Sequence, residues 1–191
     1  DQHGTAIAVL AGVMNALLVT GRKIEDTRFV FAGAGAGGIA SAKLLMEQGA
    51  TNVILVDSVG IISRDRTGLT AVKSAMLDTT NPDNLSGGIA DAMRGADVFI
   101  GLAAADTVSA QMVTSMAKDP IVFAMANPMP GFGPDVARAA GAAVVGTGRS
   151  DFPNQVNNVL GFPYIFRGAL DTAATTINDE MKLAAARALA K

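Results

Sequence analysis

Short, unbroken apolar runs alternate along this chain with stretches in which apolar residues recur every three or four positions. The runs at 28–35 (RFVFAGAG), 52–57 (NVILVD), 97–103 (DVFIGLA), 120–128 (PIVFAMANP) and 142–148 (AAVVGTG) lack the polar alternation of a half-exposed strand. They read as strands covered on both faces. Between them, 37–49 carries Ile39, Ala42, Leu45 and Met46 on one helical face, and 88–94, 109–117, 134–140 and 179–190 are also helical in pattern. Strands alternating with helices of this size predict an α/β fold with three layers and a doubly wound parallel sheet. Between 57 and 97 only the weak stretch 60–63 (GIIS) offers a further strand, so a short or missing third strand is expected. At the start, 6–19 is apolar but interrupted by Gly12 and Asn15. It is too short to cross a bilayer and lacks a basic leader, so a core helix is expected. Thr5 is placed to cap that helix and Gly21 to end it.

Composition narrows the picture without changing it. The 191 residues suit a single domain, 1–191, and a 50% hydrophobic content supplies a core. A mean hydropathy of +0.35 is high for a small domain and points to apolar surface that meets another domain or subunit. A net charge of −2, with no basic or acidic block, gives no electrostatic basis for binding nucleic acid or a membrane surface. The absence of cysteine excludes a disulfide framework, a thiolate zinc site and a cysteine nucleophile, and a cytoplasmic location is expected.

Candidate chemistry begins at Gly33-Ala34-Gly35-Ala36-Gly37-Gly38. Gly33, Gly35 and Gly38 fit G-x-G-x-x-G, the loop follows a strand and opens a helix, and Asp57 stands 19 positions after Gly38 at the end of the next strand. That context is the dinucleotide fingerprint. Gly33 permits the turn, Gly35 lets backbone approach a pyrophosphate, and Gly38 lets helix and strand pack closely. Free N–H groups at the helix start attract phosphate, and Asp57 is the expected acceptor for the adenosine ribose hydroxyls. Asp57 also disfavours a 2′-phosphate, although Arg64 and Arg66 lie near in sequence.

In an open parallel sheet, ligands sit beyond the carboxyl ends of the strands. Asn127 lies there, held out of a helix by Pro128. The segment 146–159 carries Asn157 and Asn158 side by side, near Arg149 and Asp151. Amides donate and accept without adding charge, which suits a carboxamide or a carboxylate. Loop-capping asparagine is the plainer alternative.

Taken together, DQHGTA (1–6), GAGAGGIASAKLL (33–45), FAMANPMP (123–130) and TGRSDFPNQVNNVLGFPYIFRGALD (147–171) resemble the NAD(P)-binding half of bacterial malic enzymes. The resemblance implies oxidative decarboxylation of (S)-malate with NAD or NADP and with Mg or Mn. It also implies a modified Rossmann fold whose third strand is short, a homo-oligomer, and an N-terminal catalytic domain, absent from this chain, that supplies a lysine base and a tyrosine acid. By the same resemblance Asp1 is one of three metal-binding carboxylates, residues 33–38 hold the pyrophosphate, Asn127 lies near cofactor and malate, Asn157 binds malate and Asn158 borders the nicotinamide. Three positions depart from the family pattern. Ala103 to Asp106 replace a Ser-Ala-Pro-Gly type of turn, Gly131 stands where an acid is common, and His3 replaces Ile or Gln. His3, the sole histidine, is expected to be a bystander. Competing expectations are a bare dinucleotide-binding module and another Rossmann dehydrogenase of the amino-acid type, which leaves GRSDFPNQVNNV unexplained.

Overall fold

A computed structural model of the chain describes residues 2–103, 108–126 and 133–191. Strands β1 (Arg28–Ala32), β2 (Asn52–Asp57), β3 (Gly60–Ile61), β4 (Val98–Gly101), β5 (Ile121–Ala124) and β6 (Val144–Thr147) form one sheet in the order β3-β2-β1-β4-β5-β6. Pairing is parallel throughout except at the edge, where β3 runs antiparallel to β2. The third strand is therefore short, as expected, but the sheet is not wholly parallel. The reason is local: two residues separate Asp57 from Gly60, and the Asp57 carboxylate accepts from the Val59 and Gly60 N–H groups to close the turn. A parallel neighbour requires a crossover of a dozen residues or more.

The absence of alternation in the strands has a direct cause. Phe29 and Phe31 of β1, Val53 and Leu55 of β2, and Ile121 and Phe123 of β5 belong to one core. Val30, Ile54, Val56, Phe99 and Val122, one position out of phase, belong to a second core on the opposite face. The first core is closed by α1 (Gln2–Thr20), α2 (Ala36–Glu47), α3 (Ala71–Met76) and α8 (Asp179–Leu189), with Ile165 of α7 (Tyr164–Asp171) packed against it. The second is closed by α4 (Ile89–Met93), α5 (Ala110–Thr114) and α6 (Pro134–Ala139). Helices on both faces of the sheet give the three layers.

Helix α1 starts earlier than its apolar run implies. Thr5 lies inside the helix rather than at its cap, while Gly21 ends it with a φ of +67°. At 19 residues it is long and apolar enough to cross a membrane by length and composition alone. Here it is a core helix, with Ile7, Val9, Leu10 and Val13 fully buried.

Candidate functional site

The carboxyl ends of β1 and β4 open onto the glycine loop. Gly33 has a φ of +121°, a conformation that glycine adopts without strain, and a Cβ there would also stand 3.0 Å from the Ala103 nitrogen. At Gly38 the constraint is contact, since a Cβ would lie 1.8 Å from the Gly33 carbonyl oxygen. Gly35 differs from both. It precedes the first residue of α2 with an ordinary extended φ of −87°, and a Cβ there would meet nothing within 4 Å. Two of the glycines thus shape the loop, and the third leaves space above a helix start whose leading N–H groups have no acceptor in their own helix.

That space opens into two cavities. The first, about 380 Å³, is bounded by Gln2 and Thr5 of α1, the glycine loop, Leu102, Met125, Gly148, Asn157 and Asn158. The second, about 640 Å³, lies on the β2 side and is bounded by Val56, Asp57, Ser58, Val59, Lys73 and Gly88. Gly33, Gly35 and Ala103 border both. The two form a cleft with the helix start at its middle, the shape required by a dinucleotide whose pyrophosphate lies between two nucleoside halves.

The segment after β6 folds back to deliver its asparagines. The Val156 N–H donates to the Thr147 carbonyl at 2.7 Å, and the Asn154 side chain donates to the Val145 carbonyl at 3.0 Å. The Asn157 Nδ2 donates to the Gly148 carbonyl at 2.7 Å, while its Oδ1 accepts from the Val159 N–H at 3.0 Å. Asn157 therefore caps the local turn, the plainer alternative, and also borders the cavity. Among the described residues each of its polar atoms makes one hydrogen bond, where an amide group can make two. Asn158 borders the same cavity. Arg149 and Asp151 do not line either cavity: they pair with each other in solvent, with Arg149 over the Phe152 ring. That pairing lowers the Asp151 pKa and raises that of Arg149.

Asp57 borders the second cavity, but its oxygens are already engaged. Arg66 donates through Nη1 and Nη2 at 2.8 and 3.3 Å, and Lys73 donates through Nζ at 2.6 Å. Burial alone would raise the pKa of this carboxyl, yet the hydrogen bonds from Arg66, Lys73 and the Val59 N–H outweigh it and hold the group well below the usual carboxylate range. The expected ribose acceptor is thus paired with two cations. Arg64 is turned elsewhere, its guanidinium donating to the Asn81 and Leu77 carbonyls. Sequence proximity had marked Arg66. Lys73, 16 positions from Asp57, carries no local signal that ties it there.

His3 is exposed and lies in contact with the Gln2 side chain, bordering a third hollow between α1, α2 and α8 that shares Gly35 with both cavities of the cleft. Partial burial and nearby Lys182 lower its pKa. Asp1, Asn127, Asp106 and Gly131 lie outside the described residues. Among the described residues no group of three His, Asp or Glu side chains converges to hold a metal ion.

A doubly wound sheet with a glycine turn, a helix start and a two-part cleft at its carboxyl edge defines a Rossmann-like dinucleotide-binding domain. The family model for the malic enzyme NAD-binding domain matches residues 2–191. The chain belongs to that family. It is 54% identical over 191 residues to the bifunctional malic/malolactic enzyme of Bacillus subtilis, covering all of this chain and 47% of that protein. It is also 54% identical over 194 residues to the NADP-dependent malic enzyme of Rhizobium meliloti, covering all of this chain and 25% of that protein. A crystal structure of the NAD-dependent malic enzyme of Thermotoga maritima superposes with a TM-score of 0.93 at 42% identity, over 98% of this chain and 50% of that one. The chain thus spans about half or less of the length of these relatives.

Proposed function

We propose that this chain is the cofactor-binding part of an enzyme that oxidatively decarboxylates (S)-malate to pyruvate and carbon dioxide, using NAD or NADP. The observation that carries this reading is one cavity in which the glycine loop, the start of α2, Asn157 and Asn158 meet. The residues present fit the cofactor: Gly35 leaves open space where a pyrophosphate would lie, and the first N–H groups of α2 point to it. A bound nicotinamide ring supplies the hydride acceptor. The chain's own residues bind and orient. Asn157, fixed by Gly148 and Val159, keeps one amide proton to donate to a substrate carboxylate. Asn158 borders the ring end, and Asn127 is assigned to the same pocket by the family pattern.

Among the described residues that line this cavity none carries a charged side chain, and amides do not take a proton at neutral pH. By the family resemblance, the proton-abstracting base, the enolate-protonating acid and most of the metal ligands are assigned to a further catalytic domain. Asp1 is proposed as one metal carboxylate, and one carboxylate is far short of the roughly six oxygens that a hard divalent ion requires.

The test is reduced-cofactor absorbance with malate, Mn and NAD or NADP. This chain alone is expected to give no turnover, and joining it to the catalytic domain of a relative is expected to restore it. In the joined enzyme, Asn157→Ala should raise the malate KM about tenfold or more, the loss of one charge-assisted hydrogen bond, with cofactor affinity largely intact. Robust turnover by this chain alone overturns the reading.

A further inference from the structure

After β6 the chain leaves the sheet and returns to it through a single residue. Arg149, Ser150, Asp151 and Pro153 are exposed, and Asn154 brings the chain back with a φ of +60°. Most side chains resist that left-handed conformation, and asparagine is among the few besides glycine that tolerate it. The same residue is tied to β6 twice. Its Nδ2 donates to the Val145 carbonyl at 3.0 Å, and its carbonyl accepts from the Thr147 N–H at 3.1 Å. Two more bonds follow in step, from the Val156 N–H to the Thr147 carbonyl and from the Asn157 Nδ2 to the Gly148 carbonyl, both at 2.7 Å. Residues 154–157 are thereby aligned with 145–148, parallel to β6, with Gln155 opposite Thr147. The strand side of this alignment has little freedom, since a Cβ on Gly148 would lie 2.8 Å from the Met125 carbonyl oxygen. Register then decides where Asn157 points, because a slip of one residue in an extended segment turns each side chain to the opposite face. Val156, 5% exposed, resists a slip through burial, and the Asn154 amide resists it through a bond that only one register allows. Asn154 borders neither half of the cleft and lines a separate hollow beside α1.

We infer that Asn154 is a positioning residue for malate: its left-handed turn and its amide set the register in which Asn157 enters the cleft. The inference rests on the reading of Asn157 as a malate ligand and extends it to a residue outside the cleft. The turn and the donor act together. Glycine supplies the turn without the donor, aspartate tolerates the turn but sets an acceptor against the Val145 carbonyl, and alanine supplies neither.

The experiment has two readouts. In the chain itself, Asn154→Ala should move the Asn157 side-chain NH₂ resonances toward those of a solvated amide, while the backbone amides of α2 keep their wild-type shifts. In the enzyme joined to a relative's catalytic domain, Asn154→Ala should raise the malate KM about threefold to tenfold, the range of one neutral hydrogen bond, and leave the cofactor KM unchanged. Asn154→Gly should recover part of that loss, and Asn154→Asp less of it. Added to Asn157→Ala, Asn154→Ala should raise the malate KM no further, because it acts only through the amide already removed. A purely structural residue would lower the unfolding midpoint and leave the malate KM in place. Wild-type Asn157 resonances in Asn154→Ala, a wild-type malate KM in that variant, or full additivity with Asn157→Ala overturns the inference, and a raised KM in Asn157→Ala alone leaves the malate reading standing. An unchanged KM in Asn157→Ala overturns that reading and the inference with it. Should Asn154→Ala fail to fold, Asn154→Gly, free of the strained turn, carries both readouts, with the same changes expected in smaller measure.

Discussion

Three glycines in one loop make opposite demands on a side chain. A methyl group at Gly38 would collide with the Gly33 carbonyl, so Gly38→Ala should cost about 2–3 kcal/mol as an overpacked contact between helix and strand. Gly35→Val places its side chain in open space on an extended backbone. It should leave the unfolding midpoint nearly unchanged and abolish cofactor binding. Thermal unfolding and calorimetry on the two variants separate the shaping glycine from the binding one. Asp57 makes the other demand at this scale. Its folded-state pKa is depressed, so its contribution to stability is fully present above its unfolded value of about 4 and is lost as pH falls toward the folded value. Asp57→Asn should cost roughly 2–3 kcal/mol at pH 7, the order of a hydrogen bond to a charged group. In urea titrations the gap between wild type and variant should narrow below about pH 4. A gap that stays constant down to pH 2.5 would show that the carboxylate contributes nothing through its charge.

Among the elements, legibility followed the reach of the pattern. The five parallel strands were plain in the sequence because both their faces are buried and their apolar runs are unbroken. Helices α2, α6 and α8 were plain because their periodicity is intact. The glycine loop and Asp57 were legible as a motif, and the place of Asn157 beyond a strand end was legible too, whereas its role in binding malate came only from the family resemblance. Helix α3 was not legible: six residues, AVKSAM, bury only Met76. Nor was α7, which presents Tyr164, Phe166 and Leu170 to solvent, so its apolar positions do not mark a core face. The antiparallel turn of β3 depends on the Asp57 side chain, and Lys73 reaches Asp57 only through the tertiary fold. Helix α1 shows how packing overrides propensity. It contains Gly4 and Gly12, each unfavourable by about 1 kcal/mol in a helix interior, yet its residues from Ala6 to Ala11 are all buried. Leu10→Ala should therefore destabilise the whole domain by about 2–5 kcal/mol. In native-state hydrogen exchange, the amides of α1 should open only with global unfolding, whereas those of α7 should exchange through local opening.

The whole molecule divides its work between two cavities on either side of one helix start. The β6 side offers neutral amides and backbone, suited to orienting a ring and a carboxylate, and the β2 side offers a carboxylate clamped by two cations. That division fits the expectation that the domain lacks turnover by itself. The central claim is that one dinucleotide spans both cavities across the glycine loop. Nitrogen-resolved NMR during titration with NADPH tests it most directly, because backbone and side-chain amides report together. The expected result is concerted shifts, with a single Kd, at the amides of residues 33–38, at the Asn157 and Asn158 side-chain NH₂ groups and at the Val59 and Gly60 backbone amides, while the amides of Arg167 and Asp171 on α7, which line neither cavity, stay fixed. Shifts confined to one cavity, or none at millimolar cofactor, would contradict it.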